Sequence, residues 1–262
     1  TENYNTALGY NAGGSVTTGV QNTFLGALAG DSLSDADFNV AVGTSALSAD
    51  TLGSNSTAIG WSALAAQNFS TATLSYNVAV GFKAGLSVTT GVDNVLVGGL
   101  TGDALTDADV NIAIGTSALS SDTLGSKSIA IGKGALFTQN FTTATDSHNI
   151  AIGTNAGLSV TTGTQITLVG SLAGDAIEDG HLNTGLGYAA LTSETRGQRA
   201  VAVGAFALQT QNITTATESY NVAVGYNAGG AVTTGARNTL IGGLAGDSLT
   251  TSSENVALGY AA

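Results

Sequence analysis

The side chains with the most chemical promise are carboxylates gathered in a loop that recurs along the chain. It reads Asp31…Asp35-Ala36-Asp37, then Asp103…Asp107-Ala108-Asp109, then Asp175…Asp179-Gly180-His181, and lastly Asp247…Thr251-Ser252-Ser253. Closely spaced carboxylates are hard oxygen donors of the kind calcium takes. Against that, neither an EF-hand loop nor a Gly-Gly-x-Gly-x-Asp calcium repeat is present, and the donor set erodes in the third and fourth copies. A solvated acidic loop, with its first Asp capping a turn, is the stronger expectation. His148 and His181 stand singly in different parts of the repeat, a poor basis for a metal or catalytic histidine. No nucleophile–base pair, phosphate loop or metal cluster emerges. The chain is therefore read as no enzyme, with no catalytic, cofactor-binding or metal residue and no cofactor.

Three weaker signals accompany the acidic loop. Tyr10, Trp61, Phe82, Tyr188, Phe206 and Tyr226 fall one or two residues after a regularly spaced glycine. Such a row could stack on carbohydrate, although covering corners and packing against neighbours is the simpler reading. Asn68-Phe69-Ser70, Asn140-Phe141-Thr142 and Asn212-Ile213-Thr214 match the N-glycosylation triplet, yet they are copies of one loop and count as one coincidence. The pairs Thr17-Thr18, Thr89-Thr90, Thr161-Thr162 and Thr233-Thr234 resemble an ice-binding surface but recur only every 72 residues, too sparsely for a regular array.

What positions all of these is a repeat. Glycines at 9, 26, 43, 60, 81, 98, 115, 132, 153, 170, 187, 204, 225, 242 and 259 are spaced 17, 17, 17 and 21, and then the same again. Four short repeats make a unit of 72 residues, the signature of a stack of coils rather than of a pocketed globule. The residue before each glycine is Leu, Val or Ile, and the residue three before is Thr, Val or Ile. Between them stands mostly Ala, with Phe24, Leu96, Leu168 or Leu240 in the second coil of each unit. Alternation with β-branched enrichment reads as a short strand, its two branched residues on one face and the central one on the other.

Three residues after the glycine comes Ala, with Thr101 the exception, and then Gly (Gly13, Gly30) or Leu (Leu47, Leu64) according to coil type. A second apolar point at Val16, Leu33, Val88 and Leu105 suggests a weaker second strand. Glycine-rich corners suit positive φ or close backbone approach. Asn stands four before the glycine in 11 of 15 coils, as at Asn5, Asn22, Asn39 and Asn77, which predicts a ladder of side-chain amides from coil to coil. The long fourth coil adds four residues after Gln67, with relatives at Gln139 and Gln209, read as a protruding loop. Fifteen coils at one strand spacing each would extend about 70 Å.

The chain has 37 Gly, no Pro, no Cys, 43% hydrophobic and only 9% charged residues. Abundant, strictly placed apolar residues argue against disorder, and the absence of proline excludes collagen. A net charge of −12 with six Lys and Arg argues against nucleic acid and against contact with anionic membranes.

The pattern Asn-Val-Ala-Val-Gly-x-x-Ala at 39–46, with Ser-Thr-Ala-Ile-Gly at 56–60 and Ser-Ile-Ala-Ile-Gly at 128–132, resembles the head repeats of trimeric autotransporter adhesins. Residues 5–13, Asn-Thr-Ala-Leu-Gly-Tyr-Asn-Ala-Gly, are also similar to repeats of bacteriophage tail fibres. The resemblance covers the whole chain, although the family's usual period is shorter. It implies a left-handed parallel β-roll whose inner strands pack three chains together. The fold expected is thus an all-β parallel β-solenoid, one repeat domain over 1–262 in about 15 coils, trimeric and part of a longer fibrous protein.

A second argument for a homotrimer is that the Ala and Leu positions after the glycine would form an apolar stripe, partly exposed on a lone roll. The expected role is a structural and adhesive fibre segment on a cell surface or virion, meeting a host receptor or glycan. The alternatives are a self-assembling filament without receptor, or a calcium- or ice-binding solenoid.

Overall fold

The computed structural model describes residues 3–262, so Thr1 and Glu2 lie outside the described residues. The described chain is all-β without a helix, and it divides into two units. The first comprises 3–128 with 140–145, the second 129–139 with 146–262.

Each unit is a parallel β-solenoid with one three-residue strand per coil. The first unit stacks seven: Thr6–Leu8, Thr23–Leu25, Val40–Val42, Thr57–Ile59, Val78–Val80, Val95–Val97 and Ile112–Ile114. The second stacks eight: Ile129–Ile131, Ile150–Ile152, Thr167–Val169, Thr184–Leu186, Val201–Val203, Val222–Val224, Thr239–Ile241 and Val256–Leu258. Register is in phase throughout each unit, so equivalent residues stand directly over one another: Val40 pairs with Thr57, Ala41 with Ala58 and Val42 with Ile59. The second apolar point does not form a strand. Leu33, Val88 and Leu105 are fully buried but lie between a turn and a bend, outside any strand. A further strand pair is found instead at the long coil, where Gly53–Ser54 meets Thr73–Leu74 in parallel.

The strand faces sort by size. The central residue points into the coil and is fully buried, as at Ala41, Ala58, Leu96, Ala151 and Leu240, while the flanking branched residues face outward. The coil is too narrow for two large side chains at one level. In the coil with a large central residue and in the coil before it, the residue four past the key glycine is glycine: a Cβ on Gly13 in the preceding coil would meet Phe24 Cδ2 at 2.6 Å, and one on Gly102 would meet Leu96 Cδ2 at 2.8 Å. In the third and fourth coils of each 72-residue repeat, where the central residue is Ala or Gly185, that position is a fully buried Leu, such as Leu47 or Leu64. Over two coils, one large central residue and two Gly stand where the other two coils have Ala and two Leu, so that a large side chain is flanked by glycine on both sides in a close-packed interior. The Ala and Leu stripe after the glycine is therefore core of a single chain: Ala46, Leu47, Ala63 and Leu64 are fully buried. This corrects the expectation that the stripe is exposed on a lone roll.

Two ladders fix the corners. The key glycines have φ between 126° and 144°, and a Cβ on Gly26 would lie 2.7 Å from the Gly43 carbonyl carbon, so the close approach of successive backbones excludes any side chain there. The asparagines work differently from a simple amide-to-amide row. Asn22 Oδ1 accepts from the Asn39 backbone N–H at 2.9 Å, and Asn22 Nδ2 donates to the Ala36 carbonyl at 2.7 Å. Each buried Asn thus clamps the next coil at two backbone points; direct amide contacts, such as Asn22 to Asn5 at 3.2 Å, are additional. Where Ser56 breaks the series, Gln67 bridges it, donating to Ser56 Oγ at 2.9 Å and accepting from Asn77 Nδ2 at 2.9 Å.

The long coil is anchored rather than merely protruding. Gln67 and Phe69 are buried at its base, while Ser70, Thr71 and Ala72 are exposed. The third copy's counterpart of Gln67 is Gln211, not Gln209: Gln211 Oε1 accepts from Asn221 Nδ2 at 2.7 Å.

Candidate functional site

At the acidic loop, the last member of each set has one task. Asp37 Oδ1 accepts from the Val20 N–H at 2.7 Å, and Asp109 Oδ1 from Val92 N–H at 2.8 Å. In the same place His181 Nδ1 accepts from Thr164 N–H at 3.0 Å, and Ser253 Oγ from Ala236 N–H at 3.0 Å. Carboxylate, imidazole and hydroxyl have only hydrogen-bond acceptance in common here, so the position is filled by any acceptor for the preceding coil's corner. That explains why a set of supposed ligands erodes along the chain. The middle residues Asp35 and Asp107 accept from the Thr18 and Thr90 hydroxyls at 2.5 and 2.7 Å. The first Asp of two copies reaches the following coil: Asp103 and Asp175 accept from Ser120 and Thr192, at 2.6 and 2.5 Å, whereas Asp247 accepts from Ser248 in its own turn at 3.3 Å. Among the described residues, no group of three or more His, Cys, Asp or Glu is placed to hold a metal ion.

Sequence reasoning passed over a second set of carboxylates, buried in the third coil of each unit of 72. Asp50 Oδ1 accepts from Gly53 and Phe69 N–H at 3.1 and 3.2 Å, and its Oδ2 from Gln67 Nε2 at 2.6 Å. Glu194 does the same with its longer side chain, accepting from Gly197, Ile213 and Gln211 at 2.7, 3.1 and 2.6 Å. These fully buried, multiply bonded groups tie the long-coil loop to the coil before it. The only signal for them in the sequence was a lone acid spaced 17 from a Gln.

The triplet residues Asn68 and Asn140 are exposed, and their Oδ1 atoms accept from Thr51 and Thr123 at 3.1 Å. His148 is exposed at a corner with φ 51°. Tyr220 donates to Glu218 Oε2 at 2.6 Å, and that bond raises its phenol above the ordinary value.

The exposed large hydrophobic side chains gather on the outer face of the sheets. Every large hydrophobic side chain that is exposed, except Leu74 and Phe137, stands five, three or one residue before a key glycine or one after it. Strand alternation puts these positions on one side of the coil. Ile59, Ile114, Ile152, Val169, Val224 and Ile241 keep 36–39% of their surface open in the single chain. Aromatic residues border the aliphatic ranks: Phe38, Tyr76 and Tyr220 on one side, Trp61, Phe82, Tyr188 and Tyr226 on the other.

Two aromatic clusters form on that border. Trp61 and Phe82 stack at 5.2 Å and 16°, with Lys83 Nζ over both rings at 5.3 and 5.6 Å. Tyr188, Phe206 and Tyr226 meet edge to face, at 5.4 Å and 84° and then 6.0 Å and 89°. Comparison with protein-family models, curated proteins and solved structures finds no match for the chain.

Proposed function

We propose that this chain is a segment of an extracellular fibre, trimeric and without enzymatic activity, that carries an attachment surface on a bacterium or a virion. The observation that supports it best is the outer sheet face. Its aliphatic ranks are exposed although the coil has a complete core of its own, so the open surface answers to a partner rather than to the chain's own packing. A second and third copy offer the same face, and closed threefold symmetry buries all three at once. The resemblance of residues 39–46 and 128–132 to adhesin head repeats points the same way.

The mechanism is mechanical. Backbone ladders and clamping asparagines stiffen each coil, and the residues left outside make many weak contacts in parallel. Sedimentation equilibrium tests the reading: the expected species has three chains and reverts to one when Ile152→Asp and Val224→Asp place charges on the sheet face. A wild-type chain that remains a folded monomer at high concentration overturns the trimer.

A further inference from the structure

We infer that Tyr188, Phe206 and Tyr226, with the amides of Gln209 and Asn227, form a binding platform for a neutral saccharide. The inference deepens the attachment reading by naming the class of ligand.

Three successive coils each contribute one ring, and Tyr188 and Tyr226 are 49% and 60% exposed. A ring whose only role is to cover a corner would lie flat against it. Here the contacts between rings are edge to face, so the two contacts occupy two of the six ring faces with a neighbour's edge and cover none with a parallel ring. Such faces carry the negative pole of the ring quadrupole and attract the polarised C–H groups on one side of a pyranose. Trp61 and Phe82 lack this property, since they stack on each other beneath the Lys83 ammonium.

Polar groups of the right kind adjoin the ridge. Gln209 Nε2 donates to Asn227 Oδ1 at 2.9 Å, which fixes both amides and leaves Gln209 Oε1 as acceptor and Asn227 Nδ2 as donor. Fixed amides next to aromatic faces match the vicinal hydroxyls of a sugar, which donate and accept together. Over the five coils from Gly170 to Gly242, the two positions after each key glycine are Ser171, Leu172, Tyr188, Ala189, Ala205, Phe206, Tyr226, Asn227, Gly243 and Leu244, all uncharged. With a net charge of −12 on the chain, a neutral glycan is favoured over an anionic one.

Saturation-transfer NMR and calorimetry on the full chain would use cello-, malto-, manno- and chito-oligosaccharides, with oligogalacturonate as the anionic contrast. At least one neutral oligomer is expected to bind, and Tyr226→Ala to weaken it about tenfold, the worth of one ring contact. Asn227→Asp, which keeps shape and adds charge, provides a second variant should the first misfold. Sedimentation of the same variants is expected to match wild type, so a failure here is separable from a failure of the trimer. Absence of transfer from every neutral oligomer, a preference for oligogalacturonate, or unchanged affinity in folded variants overturns the platform.

Discussion

At the glycine corner, a Cβ added to Gly60 would run into the Gly81 carbonyl, and the same residue recurs in every coil. At the acidic corner, Asp37, Asp109, His181 and Ser253 occupy one structural place with three different chemistries. Both corners join one coil to its neighbour, yet one admits a single residue and the other almost any acceptor. The difference lies in what meets what. Backbone against backbone leaves no space for substitution, whereas a side chain reaching a backbone N–H across a gap can be long or short. Repetition every 17 residues therefore marks steric necessity, and repetition every 72 with drift marks a replaceable bond.

Gly60→Ala attacks the strict corner and should have the largest effect. An L-residue at φ 135° and a Cβ against the Gly81 carbonyl are expected to cost about 4 kcal/mol in denaturant titration. A cost below about 1 kcal/mol would erase the contrast between corners. Asp50→Ala comes next, at about 3 kcal/mol, because it strands the Gly53 and Phe69 N–H groups and the Gln67 amide in a buried place. Protease cleavage of the released loop near Thr71 is its second readout.

The Glu194 copy sharpens the same point. Its extra methylene accompanies Ile213 where the other copies have Phe69 and Phe141, all three buried. Glu194→Asp alone should lose about 1.5 kcal/mol, and Ile213→Phe added to it should recover most of that in a double-mutant cycle. Additive costs would show that the two residues do not share volume.

Val110 stands at φ 59° with half its surface exposed, a left-handed conformation that disfavours β-branched residues. Val110→Asn is expected to raise stability by about 1 kcal/mol, read as an upward shift of the thermal midpoint. Asp35→Ala closes the series with less than about 0.5 kcal/mol, since it removes one exposed bond from Thr18. A larger loss would mean that the Thr18 bond beside the acidic corner is not replaceable.

The coils, their phase and the positive φ of the key glycines were legible because glycine alone tolerates that place. The asparagine series was legible as a ladder, though its role as a backbone clamp was not, since sequence shows a residue type and not its partner. Which strand face is inside was ambiguous from pattern alone: both faces are apolar, and only the trade of Phe24 against Gly13 and Gly30 reveals that the smaller side chains go in. The corner five before each glycine was invisible. Tyr4, Gln21, Phe38, Lys127 and Arg237 all adopt φ between 49° and 62° there, and none advertises a left-handed turn. Likewise Gln211 was masked by the nearby Gln209, which donates to Asn227 instead.

The direction of the asparagine clamp has a consequence for synthesis. Asn5 Oδ1 receives the N–H of Asn22, and Asn5 Nδ2 reaches the carbonyl of Gly19, so a coil's corner amide finds its partners in chain that emerges later. A nascent polypeptide can close each turn once about seventeen further residues have left the ribosome, with no need to await a distant segment. Contacts this local allow the stack to grow by adding one turn at a time to a turn already formed.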